Sequence, residues 1–323
     1  MNKPKVLVTR RWPTDVEAQL KALYDVQLNE TDIALTADEL KSALQNYDAV
    51  LTTVTDQVTA DILNVPNKRA KIMGQFGVGY NNIDINIAKE NNLIVTNTPH
   101  VLTDCTADIA MLLLLMTARR AAEGERLIYN NQWSGWSPTQ LMGQKVTGKT
   151  LGLIGFGRIA QAMARKAHHG FAMNIVCYTR SAPEQTIMDE LKVTRYEKLE
   201  DLLSVSDFVS LHCPAGVDTK HLINAERLKQ MKPKAHLINT ARGDVVDTLA
   251  LITALKEQWI AGAGLDVYEG EPHINPELLS LDNITLLPHL GSASEETRVA
   301  MGNRVLSNIA QYFNGEQPSD RVI

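Results

Sequence analysis

At 323 residues, the chain is two domains long at ~150 residues per domain. Its 32 basic and 37 acidic residues give a net charge of −5, which excludes the basic footprint of a protein that binds nucleic acid or an anionic membrane. Hydrophobic residues make up 44% and charged residues 21%, an ordinary globular balance that excludes disordered, collagenous and coiled-coil classes.

The N-terminus runs straight into the strand-like Lys5-Val6-Leu7-Val8-Thr9 and then Arg10-Arg11, too short and too soon charged for a secretory leader. Up to residue 100, short apolar runs alternate with helical patterns: Val6 to Val8, Val16 to Leu23, Leu40 to Leu44, Ala49 to Leu51, Ile72-Met73 and Leu93 to Val95. This alternation predicts βαβ units and a parallel sheet covered by helices on both faces. A long helix is predicted over Thr103 to Asn130, started by Thr103 or Asp104 as a cap. Its middle, Ala107 to Ala118, is apolar nearly all round, which predicts burial between two domains or subunits. The apolar run from Ile109 to Met116 is far shorter than the ~20 residues of a membrane span.

A second series of strands is predicted at Lys149 to Ile154, Asn174 to Tyr178, Phe208 to Leu211, Ala235 to Asn239, Gly262 to Val267 and Ile284 to Leu287. Six strands with intervening helices make up a complete dinucleotide-binding sheet. Ser294 to Gly315 is again helical, with Val299, Val305, Leu306 and Ile309 at helical spacing. Cys105, Cys177 and Cys213 are odd in number and widely spaced, so neither a disulfide framework nor a metal knuckle is expected, and a reducing, cytoplasmic compartment is the simplest reading.

The segment Gly155-Phe156-Gly157-Arg158-Ile159-Ala160 reads G-x-G-x-x-A between an apolar strand and a helix over Gln161 to His168. Gly155 permits the tight turn, Gly157 the approach of a pyrophosphate to the backbone, and Ala160 close packing of helix on strand. The helix N-terminus offers N–H groups to the anion. The following strand ends Tyr178-Thr179-Arg180-Ser181, with no acid before Glu184. NAD-binding sites place an acid there for the ribose 2′-hydroxyl, whereas Arg180 can pair with a 2′-phosphate and Thr179 and Ser181 can hydrogen-bond it. NADP is therefore the expected cofactor, with NAD possible.

Chemistry is expected from polar groups at the carboxyl ends of later strands. Arg242 in Asn239-Thr240-Ala241-Arg242-Gly243, Glu271 in Gly270-Glu271-Pro272, and His289 in Leu287-Pro288-His289-Leu290-Gly291 stand there. Each could be structural in isolation.

Over essentially its whole length the sequence resembles the D-isomer-specific 2-hydroxyacid dehydrogenases. The matching segments are Gln75 to Asp84, Leu151 to Ala160, Ile238 to Val245, Gly264 to Tyr268 with Glu271-Pro272, and Leu287 to Ser292, and Trp133-Ser134-Gly135-Trp136-Ser137-Pro138 is similar to the glyoxylate and hydroxypyruvate reductase branch. The resemblance implies an α/β fold of two Rossmann-like or flavodoxin-like doubly wound parallel-sheet domains with a cleft between them. It implies that Arg242 orients the substrate carboxylate and carbonyl oxygen, that His289 is the acid-base group, and that Glu271 supports it. An arginine fork suits a carboxylate, and an imidazolium can protonate the alkoxide that forms at C2.

The resemblance further implies that backbone N–H groups of Val78 and Gly79 receive the carboxylate. Thr240, Ala241 and Asp266 would line the nicotinamide pocket, Thr103, Cys213, Pro214, Gly291 and Ser292 would lie along the cofactor, and Trp136 would come from a neighbouring subunit of a homodimer. Ala160 replaces the commoner third glycine, and Thr179 stands where NAD-using members carry Asp.

The expected activity is reduction of a small 2-keto acid, glyoxylate to glycolate and hydroxypyruvate to D-glycerate. The alternatives are a D-lactate, phosphoglycerate or bulkier 2-keto acid dehydrogenase, or a cofactor-sensing corepressor-like scaffold. Because Val78 and Gly79 precede the cofactor turn while Arg242, Glu271 and His289 follow it, the expected domains are not consecutive: residues 1–100 plus 290–323 for substrate, and 101–289 for NAD(P).

Overall fold

The apolar runs of the first hundred residues become strands β1 (Lys5–Val8), β2 (Asp25–Gln27), β3 (Ala49–Thr53), β4 (Ile72–Phe76) and β5 (Ile94–Thr96). In the computed structural model, which describes residues 3–323, they form one parallel sheet in the order β2-β1-β3-β4-β5. Every residue of β4 is buried, the near-continuous apolar pattern of a strand covered on both faces. The helix Ala37–Asn46 begins with a reciprocal cap, in which Glu39 N donates to Thr36 Oγ1 at 3.3 Å and Thr36 N donates to Glu39 Oε2 at 2.7 Å.

The chain divides into two units, Met1–Leu102 with Ala293–Ile323, and Thr103–Ser292. The returning helix, Glu295–Phe313, starts at the Ser294 cap and completes the core of the first unit. A Cβ on Gly74 of β4 would lie 2.5 Å from Val305 Cγ1, and one on Gly302 would lie 2.7 Å from Val16 Cγ1, so glycines let helix meet sheet and helix meet helix. From this helix Arg304 donates to both oxygens of Asp320, beyond its end, at 2.7 Å, and Asn308 Nδ2 adds a bond of 2.9 Å. Burial pushes the Asp320 carboxyl up, but these bonds outweigh it and hold the group below its ordinary range. Val322 N then donates to Val95 O at 2.7 Å, fixing the tail beside β5.

The second unit contains β6 (Thr150–Ile154), β7 (Asn174–Tyr178), β8 (Thr194–Arg195), β9 (Phe208–Leu211), β10 (His236–Asn239), β11 (Gly262–Leu265) and β12 (Ile284–Leu286). All are parallel, in the order β12-β11-β10-β9-β6-β7-β8. The chain is thus an α/β protein of two doubly wound parallel sheets. Beyond the six strands expected, β8 adds a seventh whose two residues are too few to show a period. The order reverses beside β6, where such folds bind their ligands.

The single helix expected over Thr103 to Asn130 is instead two, Thr103–Ala118 and Ala121–Tyr129. Arg120 adopts φ 53° between them. Ala118 O, which a continuous helix would bond to its own next turn, accepts Gln144 N at 2.7 Å, and Gly143 packs so close that a Cβ there would lie 2.3 Å from that oxygen. The break is therefore made by a strand of loop arriving from 24 or so residues downstream, which helical periodicity cannot register. The apolar face of the first helix packs within the second unit, on β10, β11 and the helix Arg158–Phe171. Among the described residues, no helix is long and apolar enough to cross a membrane.

Candidate active site

Strand β6 delivers the chain to Gly155, whose φ is 83°. A Cβ there would lie 2.9 Å from His212 C and O and from Cys213 N, so the turn after β6 and the one after β9 meet backbone to backbone. Gly157 caps the helix Arg158–Phe171 with open space about its missing side chain, leaving a cradle for an anion at the helix N-terminus. Phe156 and Ala160 are buried beneath the turn, while Arg158 is exposed and Ile159 half-buried. At the end of β7, Thr179 is half-buried and Arg180 and Ser181 are exposed. Arg180 Nη1 lies 3.8 Å from Asp218 Oδ2, with both side chains more than three-quarters exposed at 78% and 84%.

After β9, burial holds the His212 imidazole down to about 4 and pushes the Cys213 thiol up to about 11. Both are neutral at physiological pH. His212 Nε2 sits 2.9 Å from Ser210 Oγ, so it braces the sheet beside Cys213 and Pro214.

The turn after β10 is organised by a residue the sequence did not single out. Asn239 Oδ1 accepts Ala241 N at 3.0 Å and its Nδ2 donates to Arg242 O at 2.9 Å, an Asx-type turn that closes over Thr240. Thr240 is buried and its Oγ1 has no partner among the described residues, a polar atom open to a bound group. Arg242 Nη1 donates to Ala241 O at 2.7 Å. Burial lowers the pKa of its guanidinium and the nearby Glu271 charge raises it; an arginine stays charged throughout. Gly243 lies so close to the segment after β11 that a Cβ would be 1.9 Å from Tyr268 C, which locks the Arg242 turn onto the loop that carries Glu271.

That loop is braced at Tyr268, Glu269 and Glu271. Tyr268 Oη donates to Leu287 O at 2.8 Å and Tyr268 N donates to Glu271 Oε1 at 2.8 Å. Glu269 Oε1 meets His221 Nε2 at 2.6 Å and Glu269 Oε2 accepts Thr248 N at 3.1 Å. Glu271 Oε2 then meets His289 Nδ1 at 2.8 Å. Burial pushes the Glu271 carboxyl up, but the bond and charge of His289 outweigh it and hold it below its ordinary range. An ionised carboxylate only accepts, so Nδ1 carries a proton and Nε2 is the outward ring nitrogen.

His289 has φ 56°, a conformation uncommon for a side chain of its size. Asp266 explains how it is held. Its Oδ1 accepts Leu290 N at 2.6 Å and its Oδ2 accepts Gly291 N at 2.8 Å, pinning the two peptides that follow the histidine. Burial raises the Asp266 pKa. Thr106 Oγ1 bonds Gly291 O at 2.8 Å, and Ser292 and Thr103 are half-buried. The structure thus brings Arg242, Glu271, His289 and Asp266 together in the second unit. Val78 and Gly79 stand in the first, just past β4, and Trp136 is 81% exposed.

Residues 111–291 match the D-isomer specific 2-hydroxyacid dehydrogenase NAD binding domain. The chain belongs to this family. It is 45% identical to the glyoxylate reductase of Thermococcus litoralis over 99% of this chain and 97% of that one, and 37% identical to the glycerate dehydrogenase of Hyphomicrobium methylovorum over 99% of both. Its structure is similar to that of an NADPH-dependent glyoxylate/hydroxypyruvate reductase from Sinorhizobium meliloti, solved with NADP and malonate, with a TM-score of 0.87, 33% identity and coverage of 99% of this chain and 97% of that one. As a D-2-hydroxyacid dehydrogenase, the protein is an oxidoreductase that uses a nicotinamide cofactor. The Gly155 turn, the cradle at Gly157 and the unpartnered Thr240 hydroxyl fit such a group.

Gly155→Ala is expected to weaken cofactor binding at least tenfold by fluorescence titration and to lower the thermal midpoint. A left-handed φ costs an L side chain roughly 1–2 kcal/mol, and here the added Cβ also meets the His212 carbonyl.

Proposed function

We propose that this dehydrogenase reduces small 2-keto acids with NADPH, taking glyoxylate to glycolate and hydroxypyruvate to D-glycerate. The Glu271–His289 pair beside the fixed Arg242 turn, in a chain aligned end to end with glyoxylate reductases, carries this reading. When bound, the nicotinamide supplies the hydride that arrives at C2. Arg242 orients the substrate through its carboxylate and carbonyl oxygen, a bidentate fit that needs the planar fork. His289 gives the Nε2 proton to the oxygen as charge develops on it, and Glu271, accepting the Nδ1–H, keeps that proton on the ring and fixes the ring's orientation. Backbone N–H groups of Val78 and Gly79 receive the carboxylate. The same three side chains argue against a pure corepressor-like scaffold, which has no use for a proton donor.

The preference for NADPH is supported by the end of β7, where Thr179, Arg180 and Ser181 replace the acid of NAD sites. The exposed Arg180–Asp218 pair is weak, so a 2′-phosphate can recruit the guanidinium. A panel of 2-keto acids assayed with NADPH and with NADH tests both points. Glyoxylate and hydroxypyruvate should lead with NADPH, and Arg180→Ala should lower kcat/KM for NADPH about tenfold while changing that for NADH less than twofold; a strong NADH preference in the parent protein overturns the cofactor assignment.

A homodimer is part of the same proposal. Ile128, Tyr129, Trp133, Trp136 and Met142 are exposed large hydrophobics in one stretch of chain, an apolar surface of the kind that marks an interface. Trp136 would be contributed to the neighbouring subunit's substrate site.

A further inference from the structure

The loop after β4 is held by its carbonyls. Gly77 O accepts Thr98 N at 3.0 Å, Val78 O accepts Asn97 Nδ2 at 2.9 Å, and Gly79 O accepts Gln75 Nε2 at 3.2 Å. In a trans peptide the C=O of one residue and the N–H of the next point in opposite directions. Two consecutive carbonyls turned toward the 97–98 segment therefore turn the N–H groups of Val78 and Gly79 away from it, onto one side. An extended strand alternates its carbonyls and cannot do this. Among the described residues, neither N–H donates to a backbone carbonyl. Successive N–H groups facing one way form a nest for an anion.

The orientation of the side-chain amides follows from their partners. Asn82 Nδ2 donates to Thr53 O and Asp56 O at 3.1 and 2.8 Å, so its oxygen faces Gln75, which must present its nitrogen at 2.9 Å. Thr52 Oγ1 donates to Gln75 Oε1 at 2.8 Å. Gln75 is fully buried and every hydrogen-bonding atom of its amide is engaged. Asn97 is half-buried, and its own backbone N–H donates to Asp320 O at 3.2 Å, which anchors it independently of its side chain.

On the reading of the substrate as a 2-keto acid, we infer that Asn97 is a positioning residue for its carboxylate: its bond to Val78 O holds the peptide that carries the Gly79 N–H, as Thr98 N holds the one that carries the Val78 N–H, so that both are aimed before the anion arrives, while Gln75 fixes the Gly79–Tyr80 peptide that follows. Nothing then has to reorganise on binding, and the peptide flip that would break the nest costs the Asn97 bond. Removing that bond frees the Val78–Gly79 peptide to rotate and costs carboxylate affinity about tenfold.

Asn97→Ala is the direct test, with malonate as an unreactive carboxylate probe. Its Kd measured by calorimetry on the enzyme with NADPH bound, and KM for glyoxylate, should each rise about tenfold, while KM for NADPH changes less than twofold and the thermal midpoint stays within a few degrees. Asn97→His, which restores a nitrogen donor, should recover part of the loss, as a merely structural role would not require. If Asn97→Ala unfolds, Asn97→Ser takes its place with the same readings. Unchanged malonate affinity and KM overturn the inference while leaving the assigned reaction intact. A parent protein that reduces no 2-keto acid overturns the reaction, and the malonate titration still decides whether Asn97 aims the nest.

Discussion

His289→Asn is expected to lower kcat for glyoxylate reduction by about three orders of magnitude while NADPH affinity, read by fluorescence titration, changes less than twofold. Positioned proton transfer contributes roughly 10²–10⁴ in rate, and asparagine cannot supply the proton. Asparagine is the informative substitution because residue 289 has φ 56°, a conformation that asparagine tolerates as readily as histidine. The peptides of Leu290 and Gly291 stay pinned to Asp266, so the loss reports the ring rather than a displaced loop. Alanine at the same position would mix the two effects. Turnover that survives His289→Asn within tenfold would remove His289 from the chemistry.

Arg242→Ala is expected to reduce kcat/KM for glyoxylate by at least a thousandfold, and Arg242→Lys by roughly a hundredfold. Lysine keeps the charge and loses the planar fork, so the difference between the two variants separates charge from geometry. Charge-assisted bonds contribute about 1.5–3 kcal/mol each, and two of them to one substrate account for the larger figure at roughly 1.4 kcal/mol per factor of ten. Stability should fall little in either case, because the turn is fixed by Asn239 and by the backbone contact at Gly243 rather than by the guanidinium. A lysine variant as active as the parent would show that a point charge suffices.

The residues proposed to carry the chemistry stand out in the sequence because they sit in short motifs: the glycine turn at 155–160, Arg242 after β10, Glu271 before Pro272 and His289 after β12. Parallel strands were legible for the same reason, since burial on both faces makes them apolar throughout. What holds those residues was not. Asp266 reads as one acid in a pocket, and only the fold shows both of its oxygens taken by the peptides after His289. Asn97 acts through a hydrogen bond to the Val78 carbonyl, which any donor side chain could make and no period marks. The helix break at Arg120 depends on Gln144 reaching Ala118 O, a contact made by a loop and decided by tertiary structure. Local pattern marks the candidate reacting groups, and long-range contacts set how they are held.

The return of the last helix to the first unit has a consequence for synthesis. Its Val305 and Ile309 cover Gly74, so the sheet that emerges first from the ribosome waits for its cover until about 190 intervening residues have been made, roughly 10 to 40 s at ~5–20 residues per second. During that interval the intervening unit, continuous in sequence, is completed, while β4 lacks the Val305 and Ile309 contacts on one face. Of the two units, the one whose sheet is made earlier is therefore completed later, and its uncovered β4 face is an aggregation-exposed surface of the nascent chain.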